Sequence, residues 1–553
     1  MVEYVRLPAS RTIRPMTTVP RRPRRLTVAQ ATRGRSVAAN ATIVAAAFVA
    51  SRVLGMLREI LIARQFGTSP SYDAYVAAFR IPDLLFLVVM SGAFGAAFIP
   101  VFGGFLSRGE EARAWRLASA VLTYTLVALA AMTVLVLILA GPLMRWIVAP
   151  GLEPPQQELA TNLTRLLLLS PLFLGLGAAA KGMLEAQDLF TLPAIAPILY
   201  NLGIIFGAVA LAPQMGVYGL AVGVIAGALG HAGLQFVELI RRGMRFRPSL
   251  SRRTEGLREV ARLMAPRLIG QAAFQVNFIV MTNFASRLGE SRVSSMNYAY
   301  QLFMLPHGVL ALSLSTVIFP TMARQFELRE LGQLKHTLGR ALGSLLFLTL
   351  PAAVGLFAFR VSIIQVLFQF GSFSAESTQL VAVALAYFAL GLAAFAVVEA
   401  VTRAFYAMHD TTTPVVAAIV TIVANIALSW LLAPRLGHGG LALSISITTT
   451  IEMLILLAVL YRRIGGLGWT LLISVARTAL ASSIMGVVGL WLAGPLTQVT
   501  DPSHGRSFTM LAAFAVTLAA TGAVYLTAAY YLRAPELQQV LTRVSARLPG
   551  FRR

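Results

Sequence analysis

Apolar stretches of about 18 residues or more recur along nearly the whole chain, each long enough to cross a hydrocarbon core of about 30 Å as a helix. Where water cannot reach, every backbone N–H and C=O must be satisfied within the protein, which leaves only helices and closed barrels. The alternating polar-in strands of a membrane barrel are absent, so the spans are helical. Composition agrees: 57% of residues are hydrophobic and 12% charged, which excludes a soluble globular domain. Counting spans gives about 14 helices. An even number places both termini on one side of the membrane.

The spans are duplicated. Arg52-Val53-Leu54-Gly55 opens one apolar segment and Arg267-Leu268-Ile269-Gly270 another, about 215 residues later. Leu192-Pro193, Ala212-Pro213 and Gly219-Leu220-Ala221 recur as Thr413-Pro414, Ala433-Pro434 and Gly440-Leu441-Ala442 with the same internal spacing. Lys181 and Asp188 parallel Arg403 and Asp410, and Phe98-Ile99-Pro100 parallels Ile318-Phe319-Pro320, all at offsets near 220 residues. Six spans per repeat give both halves the same orientation, as in transporters whose repeats are related by an axis along the membrane normal. The expected fold is an all-α integral membrane protein of about 14 transmembrane helices, with two parallel-repeat six-helix lobes and two C-terminal helices. A disordered basic tail fills 1–37, lobe one 38–242, lobe two 258–464, two further spans 470–533, and a second basic tail 534–553.

The net charge of +24 is not a nucleic-acid signature. Basic residues gather in the N-terminal tail (Arg21, Arg22, Arg24, Arg25, Arg33, Arg35), between Arg241 and Arg262, and at the C-terminal end. All three clusters fall on one side if the N-terminus is cytoplasmic, as the positive-inside rule requires. Contact with anionic lipid headgroups is their secondary use. Residues 1–37 lack the apolar core and cleavage site of a signal peptide. There is no cysteine, and six scattered histidines form no metal-ligand pattern. No phosphate-binding loop, clustered metal-binding acids or nucleophile triad is present, so no enzyme and no bound cofactor are expected.

A guanidinium at bilayer depth costs roughly 2.5–3.5 kcal/mol even on lenient insertion scales, so it is rarely idle. Arg52, Gly55 and Glu59 share one face of the first helix, with Ser51 and Arg58 beside them. In the second helix Asp73 is either a favourable charge at a helix N-terminus or the partner of a cavity arginine. Arg80 lies on the same stripe, with Asp83 one turn further. In the seventh helix Arg267 and Gln271 share a face, and Gln301 lies in the eighth. Several arginines in a low-dielectric cleft suit a multiply charged anion, because the guanidinium fork matches phosphate oxygens. Lys181/Glu185 and Glu399/Arg403 are spaced as i, i+4 ion pairs with structural or gating roles.

The linked run Ser51-Arg52-Val53-Leu54-Gly55, Arg58-Glu59, Phe66-Gly67, Asp73-Ala74 and Ala78-Phe79-Arg80-Ile81-Pro82 resembles the N-terminal signature of the MurJ/MviN lipid II flippases. Gly92-Ala93-Phe94, Leu305-Pro306 with Gly308-Val309, and Arg403-Ala404-Phe405-Tyr406-Ala407 carry the resemblance onward to about residue 465. That family, within the multidrug, oligosaccharide-lipid and polysaccharide exporters, has two six-helix lobes. The resemblance implies translocation of the polyprenyl-pyrophosphate-linked peptidoglycan precursor from the inner to the outer leaflet of the plasma membrane. Its pyrophosphate would meet the cavity arginines and its tail a groove beside the last two helices. Another lipid-linked oligosaccharide or polysaccharide unit is the alternative cargo. Ser51, Arg52, Arg58 and Asp73 match family positions important for function, and Glu59 a usual acid. Arg80, Arg267, Gln271 and Gln301 complete the expected substrate contacts, with Ser91 and Arg403 as gating positions.

Three departures stand out. Phe86 and Leu87 replace arginines found in many relatives, Gln301 replaces a second-lobe arginine, and Ser91 replaces a glutamate. Arg267 would supply the cation missing at Gln301, and the missing acid puts a gate with Arg403 in doubt. The remaining expectations are a monomer contacting only membrane lipids and lipid II, driven by membrane potential or a coupling ion.

Overall fold

The computed structural model describes the backbone of residues 28–90, 93–502 and 508–545, and their side chains except at 28–41, 88–90, 93–96, 263, 265–274, 540 and 543–545. Lobe one comprises α1 (Val28–Phe66), α2 (Pro70–Met90), α3 (Ala93–Ser107), α4 (Glu111–Pro142), α5 (Pro154–Leu167), α6 (Leu169–Glu185), α7 (Thr191–Phe206), the short α8 (Ala212–Met215) and α9 (Val217–Arg241). Lobe two comprises α10 (Leu257–Ser286), α11 (Arg292–Pro306), α12 (Ser313–Glu327), α13 (Leu331–Ala358), α14 (Arg360–Leu367), α15 (Ala375–Ala407) and α16 (Thr412–Ile464). Then come α17 (Trp469–Val499), α18 (Phe508–Tyr531) and α19 (Pro535–Ser545). Wider π-turns at Leu143–Val148, Gly207–Leu211 and His307–Leu312 continue α4, α7 and α11.

Ten of the described helices, counted with these continuations, are long and apolar enough to cross a membrane. One of them, α16, has 53 residues, about 80 Å of helix, and breaks at Gly437 (φ 58, ψ −144). Arg463 near its end returns to Asp410 before its start, with Nη1 2.6 Å from Oδ2, so α16 is a hairpin of two traverses. The apolar stretch over 74–106 is not one span but two helices, α2 and α3. With Asp73, Arg80 and Asp83 in 21 residues, α2 is too charged for a simple lipid-facing span.

The duplication is visible in the backbone. Gly216 (φ 56, ψ −140) precedes α9 as Gly437 precedes the second arm of α16. Gly219 packs on the Leu211–Ala212 backbone, and Gly440 packs on Leu432–Ala433. The left-handed turns at Asp188 and His409 (φ 61 and 60) keep the same offset, near 220 residues.

Asp410 holds the head of α16. Its Oδ1 accepts from the Thr412 and Thr413 amides at 3.0 and 2.9 Å. Burial pushes its carboxyl up, but the Thr413 hydroxyl and amide, Arg463 and the Thr412 amide outweigh this and hold it below the usual carboxylate range. A depressed carboxyl contributes stability above its ordinary value, lost as pH falls through the folded one. Asp410→Ala is therefore expected to lower the thermal midpoint at pH 7, by an amount equivalent to about 1 kcal/mol. Melting scans should show that deficit shrinking toward about pH 3.

The two extra helices are fastened to lobe two. Tyr525 on α18 donates to the Phe347 carbonyl of α13 at 2.6 Å. Glu536 at the head of α19 accepts from Ser474 of α17 at 2.6 Å, and Arg477 donates to the Arg533 carbonyl at 2.8 Å.

Candidate functional site

One end of the lobe interface is sealed where the α1–α2, α10–α11 and α14–α15 turns converge. The Ser372 amide of lobe two donates to the Arg64 carbonyl of lobe one at 2.8 Å. Both backbones approach through glycine: a Cβ on Gly67 would stand 2.3 Å from the Ser372 carbonyl oxygen, and one on Gly371 2.4 Å from that of Arg64. Both residues also have positive φ, at 56° and 65°, which side chains tolerate poorly. Thr68 and Ser377 bring their hydroxyls to 2.7 Å, and Tyr72 stacks on Tyr298 with centroids 5.2 Å apart. Beside them the Gly151 amide donates to Ser286 Oγ at 3.2 Å, and Asn283 Nδ2 to the Ile147 carbonyl at 2.7 Å.

Asp73 belongs to this seal. Its Oδ1 accepts the Ser294 amide in the first turn of α11 at 2.7 Å, while Oδ2 is buried without a partner. The carboxylate thus serves two helix N-termini, its own and that of α11, and pairs with no cavity arginine.

Deeper in lobe one, Arg58 donates to Glu59 Oε1 through Nη2 at 2.6 Å and Nε at 3.2 Å, and to Asn201 Oδ1 on α7 at 3.1 Å. Asn201 Nδ2 lies 3.3 Å from the Ser51 carbonyl and 3.5 Å from its hydroxyl. Ser51, Arg58, Glu59 and Asn201 are therefore one polar unit joining α1 to α7. Asn201 was not anticipated; the only cue in the sequence is a lone amide inside an apolar span.

Arg52 differs in kind. It is exposed, with its guanidinium over the Phe48 ring at 5.2 Å. It reaches lobe two: a Cβ on Gly308 would lie 3.0 Å from Arg52 Nη1. Among the described residues no carboxylate pairs with it. Arg80 is instead buried between α2 and α10, donating through Nε to Thr282 at 2.8 Å and lying over Phe278 at 5.6 Å. One of its terminal nitrogens is buried without a partner. Gln301 is half-buried on α11. The side chains of Arg267 and Gln271 on α10, and Ser91 altogether, lie outside the described residues.

Both expected i, i+4 pairs form, Lys181–Glu185 at 3.7 Å and Arg403–Glu399 at 2.8 Å. Arg403 thus has its acid on its own helix. Asn425 of α16 donates to Asn277 Oδ1 of α10 at 2.5 Å. Among the described residues no cluster could hold a metal ion.

A family model described as lipid II flippase MurJ matches residues 62–501. The lipid II flippase MurJ of Burkholderia cenocepacia is 34% identical over 75% of this chain and 81% of its own length. A probable lipid II flippase MurJ of Rhizobium meliloti is 30% identical over 90% and 94% respectively. Among solved structures, a lipid II flippase MurJ in an inward closed conformation superposes with a TM-score of 0.74 at 24% identity, covering 89% of this chain and 99% of that one. An inward-facing multidrug resistance MATE family transporter of the MOP superfamily gives 0.65 at 16% identity, over 75% and 95%.

Proposed function

The chain belongs to the lipid II flippase MurJ family, and on that footing we propose how its own residues carry the lipid-linked peptidoglycan precursor across the plasma membrane. The family is one of transporters, and no bound cofactor enters the cycle. The basic clusters put both termini in the cytoplasm, which makes the sealed end the outer one. The described state is then closed toward the outside, and the head group enters from the inner leaflet between the lobes.

The observation that carries this reading is Arg52: a guanidinium at the meeting of the lobes that no carboxylate among the described residues neutralises. Such a cation suits a pyrophosphate, which it can grip bidentately. Arg58 is already spoken for by Glu59 and Asn201, so it fixes α1 against α7 and lends its charge to the site without touching the cargo. Asp73 ties arrival of cargo to the outer seal through α11, and opening that seal exposes the head group to the far side. Arg267 contributes lobe-two charge. A negative-inside potential returns the empty, positive cavity, at about 2.3 kcal/mol per charge per 100 mV. The chain works as a monomer, since each lobe supplies one wall.

The test is a strain depleted of its own flippase. The wild-type chain should restore growth and clear lipid II from the inner leaflet, whereas Arg52→Ala and Arg267→Ala, equally abundant in the membrane, should not. Growth restored by Arg52→Ala would sink the assignment. Failure of the wild type, with lipid II still trapped inside, would point to another lipid-linked saccharide.

A further inference from the structure

The turn between α3 and α4 recurs between α12 and α13: Glu110 and Glu330, and Phe105 and Gln325, are each 220 residues apart. The Glu110 amide donates to the Phe105 carbonyl at 3.0 Å, and the Glu330 amide to the Gln325 carbonyl at 2.8 Å. Gly109 and Arg329, one residue earlier, both have positive φ, at 74° and 59°.

In lobe one this turn is covered. Phe105 and Leu117 are buried, and Gly256, from the chain joining the lobes, lies on them. A Cβ there would stand 3.3 Å from both Phe105 Cε2 and Leu117 Cδ2. In lobe two the same positions are Gln325 and Thr337, and with Gly332, Gln333, His336 and Arg340 they line an open hollow of about 350 Å³. The chain leaving α16 passes to one side of it, with Gly465 beside Lys335 and the Leu467 carbonyl beside Gly339.

The chemistry differs as well as the cover. Gln325 Nε2 donates to Thr337 Oγ1 at 3.0 Å, while Gln325 Oε1 is buried without a partner. Thr337 accepts that bond, so its own O–H is left to give elsewhere. Among the described residues no carboxylate lines the hollow or pairs with Arg340, which stands where lobe one has Ala120. Arg113, on the lobe-one turn, instead has Glu110 at 3.4 Å and Glu255 at 3.7 Å. A free guanidinium asks for an anion, and a buried acceptor without a donor asks for a hydroxyl or N–H on the same ligand. Both tails of the chain are basic and suit neither demand. An apolar run begins directly after Arg340, which sets the hollow at headgroup level. With both termini cytoplasmic, as proposed above, that level belongs to the inner leaflet, whose surface is anionic.

We propose that the hollow holds the headgroup of an inner-leaflet phospholipid whose phosphate is esterified to a polyol, as in phosphatidylglycerol. Arg340 and the Thr337 hydroxyl hold the phosphate, and Gln325 Oε1 accepts from a headgroup hydroxyl. The lipid then does for lobe two what the linker does for lobe one, joining the two helices of the turn. A free polyol phosphate carries the same groups, and the test separates the two sources. Only the choice of leaflet rests on the flippase reading; the site lies apart from Arg52.

The test adds dioctanoyl phosphatidylglycerol, dioctanoyl phosphatidylmethanol (the same phosphate without a hydroxyl) or glycerol 3-phosphate to the full chain in neutral detergent. Binding is followed by native mass spectrometry and by thermal midpoint. Wild type should hold phosphatidylglycerol several-fold more tightly than Arg340→Ala does, and several-fold more tightly than it holds phosphatidylmethanol. Gln325→Leu, apolar like Phe105 in lobe one, should erase that second preference, and it serves if Arg340→Ala folds poorly. Equal affinity in wild type and Arg340→Ala would overturn the site. Equal binding of the two lipids by wild type would overturn the headgroup hydroxyl. Displacement of the lipid by an equal concentration of glycerol 3-phosphate would overturn a lipid as the occupant. Binding is read without transport, so a chain that failed to flip lipid II would leave this result standing.

Discussion

A Thr68→Cys/Ser377→Cys variant, oxidised in the membrane, is expected to lose nearly all flipping activity and to regain it on reduction. The two hydroxyls stand 2.7 Å apart across the seal, so thiols at these positions need to close by less than an ångström to bond. The chain has no cysteine, so the engineered pair would be the only thiols and no mispairing can occur. A covalent bridge holds the lobes together at the end that must part for release, while entry from the other side is untouched. Substrate should therefore still bind to the oxidised protein but no longer reach the far leaflet. Transport at the wild-type rate by a quantitatively cross-linked sample would mean that the seal does not open during the cycle. Each single-cysteine variant controls for the substitution itself.

The second large effect is expected at Arg58. Its side chain is 20% exposed and that of Glu59 9%, and one carboxylate oxygen of Glu59 is already buried without a partner. Removing one member of a buried pair leaves the other's charge uncompensated, at roughly 3–5 kcal/mol. Arg58→Ala should accordingly cost both folding stability and transport, because Asn201 and the α1–α7 contact go with it. Arg58→Ala/Glu59→Ala removes the orphaned charge and should recover much of the stability but none of the transport. Thermal midpoints of the two singles and the double close the cycle. If the double variant is as unstable as the sum of the singles, the pair is not a coupled unit.

Much of the fold was legible because its signals are local. Apolar length marks the spans, and spacing between Pro, Gly and charged landmarks marks the duplication, which the backbone repeats at Gly216 and Gly437. The site was legible only in part. Ser51, Arg58 and Glu59 cluster because one helix carries all three, whereas their fourth member, Asn201, comes from a helix 143 residues beyond Arg58. Arg80 shares a sequence stripe with Asp73, yet α10 packs over it and turns it into an inter-helix tie to Thr282. Nothing in the stretch around Gly371 announces that Arg64 will lie against it. That contact exists only once two lobes, each folded from its own half, have docked.

The seal has a consequence for energetics as well as shape. Among the described residues no ion pair joins the lobes there; the contacts are a main-chain hydrogen bond, hydroxyls, amides, a stacked pair of tyrosines and two carboxylates, Asp73 and Glu290, each accepting from a neutral donor of the other lobe, beside a polar pocket of about 380 Å³ lined by Gln65, Thr68, Ser71, Ser291, Ser374 and Glu376. Water already at the threshold can take over such bonds, whose net worth is about 0.5–1.5 kcal/mol each where both partners are neutral and roughly 1.5–3 at the carboxylates. The closed and open populations then differ by a few kcal/mol, within reach of the binding energy of one cargo molecule. A seam of lysines paired with carboxylates would have locked harder and answered to salt. This one is weak enough for its own cargo to tip.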